Sequence, residues 1–354
     1  MNRPIDKIFF FAICAVTFSA IPAYLPHLVS AQTGAQFARF DTDLRLEMSP
    51  LHPRPGELVR INAHSTLIDL SLTALEWTEN GKKIGGGIGV ADIEIKAGIL
   101  GTETTVTVIV LEKGIERARE SMRINPTELD LLWESDSYVP PFFRGRAIPS
   151  AGTNLYLQAI PRFKRTNGSF IPVSDIAFTW RRNGYILQKV SGRGAAKAAL
   201  GSPSFLGADT ISVEARSSDN LFEAVESVRI PSVEPRLVLY ENHPLFGVMY
   251  HDAFLPQNYR GEVEMSLLAV PYFAEAEMDS DNRLIYEWKV NGNAIANNPE
   301  RPNSITINAS GSSGLALVEL ALSHATNLFL NSFGSWSVTL SSERLGNDPF
   351  TNTQ

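Results

Sequence analysis

Three times in this chain an apolar residue, a spacer and a tryptophan run into an Asn-Gly pair. The copies are Leu75, Trp77, Asn80 and Gly81; Phe178, Trp180, Asn183 and Gly184; and Tyr286, Trp288, Asn291 and Gly292. The tryptophans stand 103 and 108 positions apart, about the length of one β-sandwich domain per copy. Residues two apart in an extended segment share a face, so Leu75 and Trp77 point together while Glu76 points away. Asn-Gly supplies two residues that accept positive φ, as a tight type I′ hairpin requires. Each copy therefore reads as a strand carrying an aromatic anchor, followed by a hairpin. Trp77, Trp180 and Trp288 read as core residues between two sheets, not as binding platforms.

A chain of 354 residues, 44% of them hydrophobic, can build a separate core in each of several domains. Alternating strand-like runs broken by Pro and Gly predict an all-β chain of three tandem sandwich modules behind an N-terminal signal peptide. The expected boundaries are 32–125, 126–232 and 233–345, with a polar tail over 346–354. In each module a glycine (Gly101, Gly207, Gly314) precedes a late alternating strand, such as Val106, Val108 and Val110 in the first. The junctions repeat too: Met122, Ile124 and Pro126 in one, Val228, Ile230 and Pro231 in the next. Short proline-bearing junctions of this kind make semi-rigid linkers.

Residues 1–31 have the form of a secretory signal: Arg3 and Lys7, an apolar run from Ile8, and small residues to Ala31 ahead of Gln32. An uncleaved membrane anchor is the alternative, since the apolar stretch is long enough to span a bilayer. The one cysteine, Cys14, lies inside the apolar run. Cleavage would leave a mature chain without disulfides, thiolate catalysis or zinc-thiolate sites. An exported protein without disulfides leans towards a bacterial source.

The repeated motif resembles the immunoglobulin-like repeats of bacterial extracellular proteins, the PKD type in particular: an aromatic residue, a spacer, Trp, a Gly/Asp/Asn turn, and later a valine-rich alternating strand. The copy from Tyr286 to Gly292 is the nearest match. It lacks that family's full Gly-Asp-Gly turn, and the first two copies lack the leading tyrosine. The resemblance implies a sandwich fold and a surface role in spacing, adhesion or polymer binding. It transfers no catalytic residue.

No catalytic constellation can be assembled. The histidines His27, His52, His64, His243, His251 and His324 are scattered, and HExxH, GxSxG and CxxC patterns are missing. The run from Gly85 to Gly89 leads to a strand, not to the helix N-terminus that would hold phosphate, and reads as a flexible loop or bulge. The chain is therefore expected not to be an enzyme and to carry no cofactor. Glu277, Asp279 and Asp281 form one acidic cluster that suits a hard cation such as calcium, but its spacing matches no known calcium loop. A solvated acidic loop is the competing reading.

Charge is shared unevenly. Residues 32–130 carry 11 basic and 15 acidic side chains, 131–235 carry 12 and 9, and 236–354 carry 6 and 13. In the second module Arg162, Lys164, Arg165, Arg181 and Arg182 lie in or beside two turns. Turns at the same end of the sandwich would gather them into one basic patch, fit for an anionic wall polymer or the acidic third module of a neighbouring molecule; a solvated face is the alternative. Nucleic acid is a poor partner for a chain of net charge −7. The reading that follows is an exported, non-catalytic, cell-surface protein, a spacer, adhesion or surface-assembly component whose partners are surface proteins or an anionic extracellular polymer. Membrane contact would run only through the N-terminal segment. A carbohydrate-binding or cell-wall polymer-binding protein is the alternative, with Tyr138, Phe142, Phe143, Tyr240, Phe246 and Tyr250 at the junctions as candidate aromatics or as buried staples.

Overall fold

The computed structural model describes residues 43–254, 259–261, 264–308 and 314–340. The signal segment with Cys14 and the polar tail lie outside the described residues. Within them the chain is strand and turn, with two single-turn 3-10 helices at Val173–Asp175 and Gln188–Val190. No helix among the described residues is long and apolar enough to cross a membrane.

The first module has seven strands: β1 (Arg45–Ser49), β2 (Leu58–His64), β3 (Ala74–Glu79), β4 (Lys82–Ile88), β5 (Asp92–Lys96), β6 (Thr104–Glu112) and β7 (Ile115–Ile124). They form two sheets, of order β1-β2-β5 and β4-β3-β6-β7. The second module repeats this with β8 (Glu128–Ser135), β9 (Asn154–Arg162), β10 (Ile176–Arg182), β11 (Tyr185–Ile186), β12 (Gly192–Arg193), β13 (Lys197–Gly201), β14 (Ala208–Ser217) and β15 (Glu223–Pro231). Its sheets run β13-β9-β8 and β11-β10-β14-β15, with β12 also paired to β10.

The third module holds β16 (Arg236–His243), β17 (Gly247–Ala253), β18 (Tyr259–Gly261), β19 (Glu264–Tyr272), β20 (Leu284–Val290), β21 (Asn293–Ile295), β22 (Ser304–Asn308), β23 (Gly314–His324) and β24 (Asn331–Leu340). The same plan recurs in its two sheets, β17-β16-β19-β22 and β18-β24-β23-β20-β21. The additions are β17, a hairpin on β16, and β18, which pairs in parallel with β24.

Strand alternation fills each core. In β6, Val106, Val108 and Val110 are buried and Thr105, Thr107 and Ile109 lean outward. The buried apolar residues fall into three large sets, running from Leu44 to Ile124, from Leu129 to Ile230 and from Leu237 to Val338, and a small fourth set of Tyr240, Leu268 and Val270. Each large set holds one of the repeated tryptophans: Trp77 and Trp180 are 0% exposed and Trp288 1%. At roughly 25 cal/mol per Å², a ring buried this fully contributes several kcal/mol to its module.

The Asn-Gly pairs form the expected turns. Asn80, Asn183 and Asn291 have φ of 49°, 52° and 49°, and the glycines that follow have 81°, 84° and 78°. The Gly85–Gly89 run is not a loop. Most of it is strand β4, with a register shift opposite Trp77 and Thr78. Gly86 (φ +141°) lies so close to the Leu75 carbonyl that a Cβ there would collide with it. The glycines thus let β4 bulge and press against β3.

Successive modules are bonded to each other. Between the first and second, the Thr127 N–H donates to the Pro53 carbonyl (3.1 Å), the Asn125 side-chain amide donates to the Leu221 carbonyl (3.3 Å), and Arg54 pairs with Glu226. Between the second and third, the segment after β8 reaches forward. The Tyr138 N–H donates to the Ala274 carbonyl (2.8 Å), and the Tyr138 carbonyl accepts from Phe273 (2.7 Å). The Tyr138 side chain packs against the third core.

Candidate functional site

The five basic residues of the second module do not form one patch. The turn holding Lys164 and Arg165 comes before β10, and the turn after Arg182 follows it. A strand enters at one end of a sandwich and leaves at the other, so the two turns lie at opposite ends, about 20 Å apart at the rise of a seven-residue strand. Their charges are also mostly taken up: Arg162 bridges Glu128 (3.1 Å) and Asp130 (2.9 Å), Arg165 pairs with Asp219 (2.7 Å), and Arg181 with Glu214 (3.0 Å). Arg182 binds the nearly buried Asp209 through Nε (2.5 Å) and donates to the Ser202 carbonyl (2.9 Å). Lys164 lies 5.8 Å from the Phe170 ring centroid. These residues stabilise the module's ends and offer no single basic surface.

In the acidic loop Asp281 is committed internally. Its carboxylate accepts from Arg283 Nη2 (2.7 Å) and Nε (3.1 Å) and from the N–H groups of Glu277 and Arg283. The Arg283 guanidinium, with these N–H donors, holds the Asp281 carboxyl well below the usual carboxylate range against the opposing effect of burial. Burial raises Asp279 instead. Glu277 is exposed. Among the described residues no group of three or more His, Cys, Asp or Glu side chains is placed to hold a metal ion.

The junction aromatics divide into two groups. Tyr240 is buried and Tyr138, Phe143 and Tyr250 are partly buried. The Tyr240 and Tyr272 hydroxyls are hydrogen bonded at 2.7 Å, Tyr250 meets Tyr240 edge-on at 5.3 Å, and Phe143 meets Tyr272 edge-on at 5.6 Å. Burial pushes Tyr138, Tyr272 and Tyr286 well above the ordinary phenol range; the negative charge of Asp279 adds to this for Tyr138 and Tyr286, and the bond to Tyr240 for Tyr272. These rings staple the second module to the third. Phe142 and Phe246 are exposed.

A different surface is better built for a ligand. The outer face of the β13-β9-β8 sheet holds an open groove of about 700 Å³, lined by Leu132, Glu134, Arg146, Tyr156, Gln158 and Lys197 among others. Pairing places Leu132 beside Gln158 and Gln158 beside Lys197, with Glu134, Tyr156 and Ala199 in the next outward row. Tyr156 is 46% exposed, and the small Ala199 leaves one side of its ring open. Arg146 lies over the Trp133 ring, 4.4 Å from its centroid, at the groove wall. Sequence reasoning passed over Tyr156. The available signal was an aromatic in phase with Asn154 and Gln158, on the polar side of an otherwise clean alternation.

No protein-family model matches the chain, and no curated protein matches it. Among solved structures it is similar to the fibronectin(III)-like modules of Clostridium thermocellum CbhA, with 16% identity over 53% of this chain and 94% of that one and a TM-score of 0.25. It is also similar to three N-terminal domains of the bacteriophage RB49 highly immunogenic outer capsid protein, with 12% identity, 86% and 99% coverage and a TM-score of 0.24. A third is the Bacteroides ovatus SGBP-B of a mixed-linkage glucan utilization locus, with 14% identity, 84% and 70% coverage and a TM-score of 0.22. Scores this low say nothing about function. The fold rests on one sheet plan repeated in each module, β1-β2-β5, β8-β9-β13 and β16-β19-β22 set against β4-β3-β6-β7, β11-β10-β14-β15 and β21-β20-β23-β24. The modules are immunoglobulin-like β-sandwiches.

Proposed function

We propose that this chain is an exported, non-catalytic protein of the bacterial cell surface, whose sandwich modules space or hold a partner there. The observation that supports it most is the fastening of module to module: Tyr138 set against the third core, Asn327 donating to the Ala151 carbonyl (2.7 Å), and the Thr127 N–H donating to the Pro53 carbonyl (3.1 Å). A component that spaces or presents others needs its units held in a set relation, and these junctions supply it. On this reading the modules are of the PKD type, as the Tyr286–Gly292 motif suggests, and the chain adheres to or assembles with other surface components. Labelling intact cells with a membrane-impermeant amine reagent tests it: label gained before lysis supports the surface reading, and label gained only after lysis overturns it. A second reading, binding of a carbohydrate or anionic wall polymer, is favoured by the groove around Tyr156.

A further inference from the structure

The charged side chains of the second module are not treated alike. Arg162, Arg165, Arg181, Arg182, Arg193 and Arg216 all form ion pairs within the module. The module's other six cations, Lys197 and Arg146 at the groove with Arg144, Lys164, Lys189 and Arg229 elsewhere, form no ion pair among the described residues. Among the described residues Glu134, Gln158 and Lys197 have no ion pair or side-chain hydrogen bond, and Arg146 is engaged only through the Trp133 ring. A sheet face that pairs its ions elsewhere leaves two cations, one carboxylate and one amide unspent around an exposed phenol.

We propose that this groove binds an acidic sugar chain, an oligosaccharide bearing carboxylate groups, laid across β8, β9 and β13. The Tyr156 ring offers a flat apolar surface to the C–H face of a sugar ring. Gln158 can both donate to and accept from hydroxyls, and Glu134 can accept from them. Lys197 and Arg146 supply positive charge for the sugar carboxylates, in the one module of positive net charge (12 basic and 9 acidic side chains over 131–235). The groove is open along its length, which suits a chain bound side-on more than a small molecule enclosed in a cavity. An acidic peptide would use the two cations equally well but has no need of the open tyrosine face beside Ala199. This inference rests on the polymer-binding reading above. Its test is made in solution and does not depend on where the protein resides, so the site and the surface location can fail separately.

The experiment is calorimetric titration of the whole chain with hexagalacturonate, with cellohexaose and hexaglutamate as comparison probes. Hexagalacturonate is expected to bind and to weaken as salt is raised. Tyr156→Ala and Lys197→Ala should each weaken it about tenfold, the scale of one stacking or charge contact. Glu134→Gln should strengthen it, because the substitution removes the one opposing charge. Lys189→Ala, on an exposed lysine outside the groove, should leave it unchanged. Tyr156 is half exposed, so its variant keeps the core, and an unchanged melting temperature checks that it does. The proposal is overturned by any of three results: hexagalacturonate fails to bind; its binding ignores both Tyr156→Ala and Lys197→Ala; or cellohexaose or hexaglutamate binds as tightly.

Discussion

The Trp180 indole N–H donates to the Ala195 carbonyl at 2.8 Å, and Ala195 stands two residues ahead of β13. The same bond recurs in the other modules. Trp77 donates to Val90 (2.9 Å), two residues ahead of β5, and Trp288 donates to Pro302 (3.0 Å), two residues ahead of β22. Each tryptophan thus fills its core and also ties β3, β10 or β20 of one sheet to the approach of β5, β13 or β22 in the other. Trp180→Phe keeps an aromatic ring but loses volume and leaves the partly buried Ala195 carbonyl without this donor. We expect it to destabilise the second module by about 2–4 kcal/mol, read by urea unfolding.

The turn asparagines do more than accept positive φ. The Asn183 Oδ1 accepts the Thr210 N–H (2.9 Å) while its own N–H donates to the Thr210 carbonyl (2.8 Å). Asn80 does the same with Thr105, and Asn291 with Leu317. The side chain extends the pairing of β3 with β6, β10 with β14 and β20 with β23 by one step. Among the described residues Asn80 has no other side-chain bond, whereas the Asn183 amide also donates to Asp209 (2.7 Å). Asn80→Gly keeps the turn conformation and removes only this bond, so it should cost about 1 kcal/mol, while Asn80→Ala adds the backbone cost and should cost about 2 kcal/mol in the same kind of unfolding measurement.

The architecture was legible because its signals are local: a tryptophan on one face of a strand and a turn that demands Asn-Gly. The asparagine clamp was not, because its partner lies 27 residues further on in the second module and 26 in the third. The basic patch misled for a topological reason: Arg165 and Arg182 are near in sequence but flank one strand. Tyr156 was missed because an alternating strand hides nothing about burial yet says nothing about which outward residues its neighbours leave unpaired.

Arg182 serves the buried Asp209 and two backbone carbonyls at once. Arg182→Ala would leave a carboxylate that is 7% exposed without its cation. The expected loss is about 3 kcal/mol, larger than for Arg162→Ala, whose partners are solvated. Thermal unfolding of the two variants side by side checks the order.

Stability should fall at both ends of the pH scale, for different groups. The depressed Asp281 carboxyl contributes stability above about pH 4, its unfolded range, and loses it as pH falls further. Asp281→Asn should flatten that acid limb. The raised tyrosines run the other way. Above about pH 10 the unfolded chain ionises its phenols while Tyr138, Tyr272 and Tyr286 stay neutral, so stability declines as pH rises. Tyr272→Phe should lessen the alkaline decline, followed by circular dichroism.

Calcium should leave the melting temperature of the chain unchanged, since Asp281 is bound to Arg283 and Asp279 is partly buried away from it. A calcium-dependent rise that Asp281→Asn abolishes would restore the acidic loop as a metal site.

The most direct test of the surface account is the N-terminal mass of the native protein in medium, cell-wall and membrane fractions, with the cell interior as reference. The account predicts a chain beginning at Gln32 in the medium or wall, or an intact chain held in the membrane with its modules accessible from outside. A chain that begins at Met1 and is found in the soluble cell interior would contradict it.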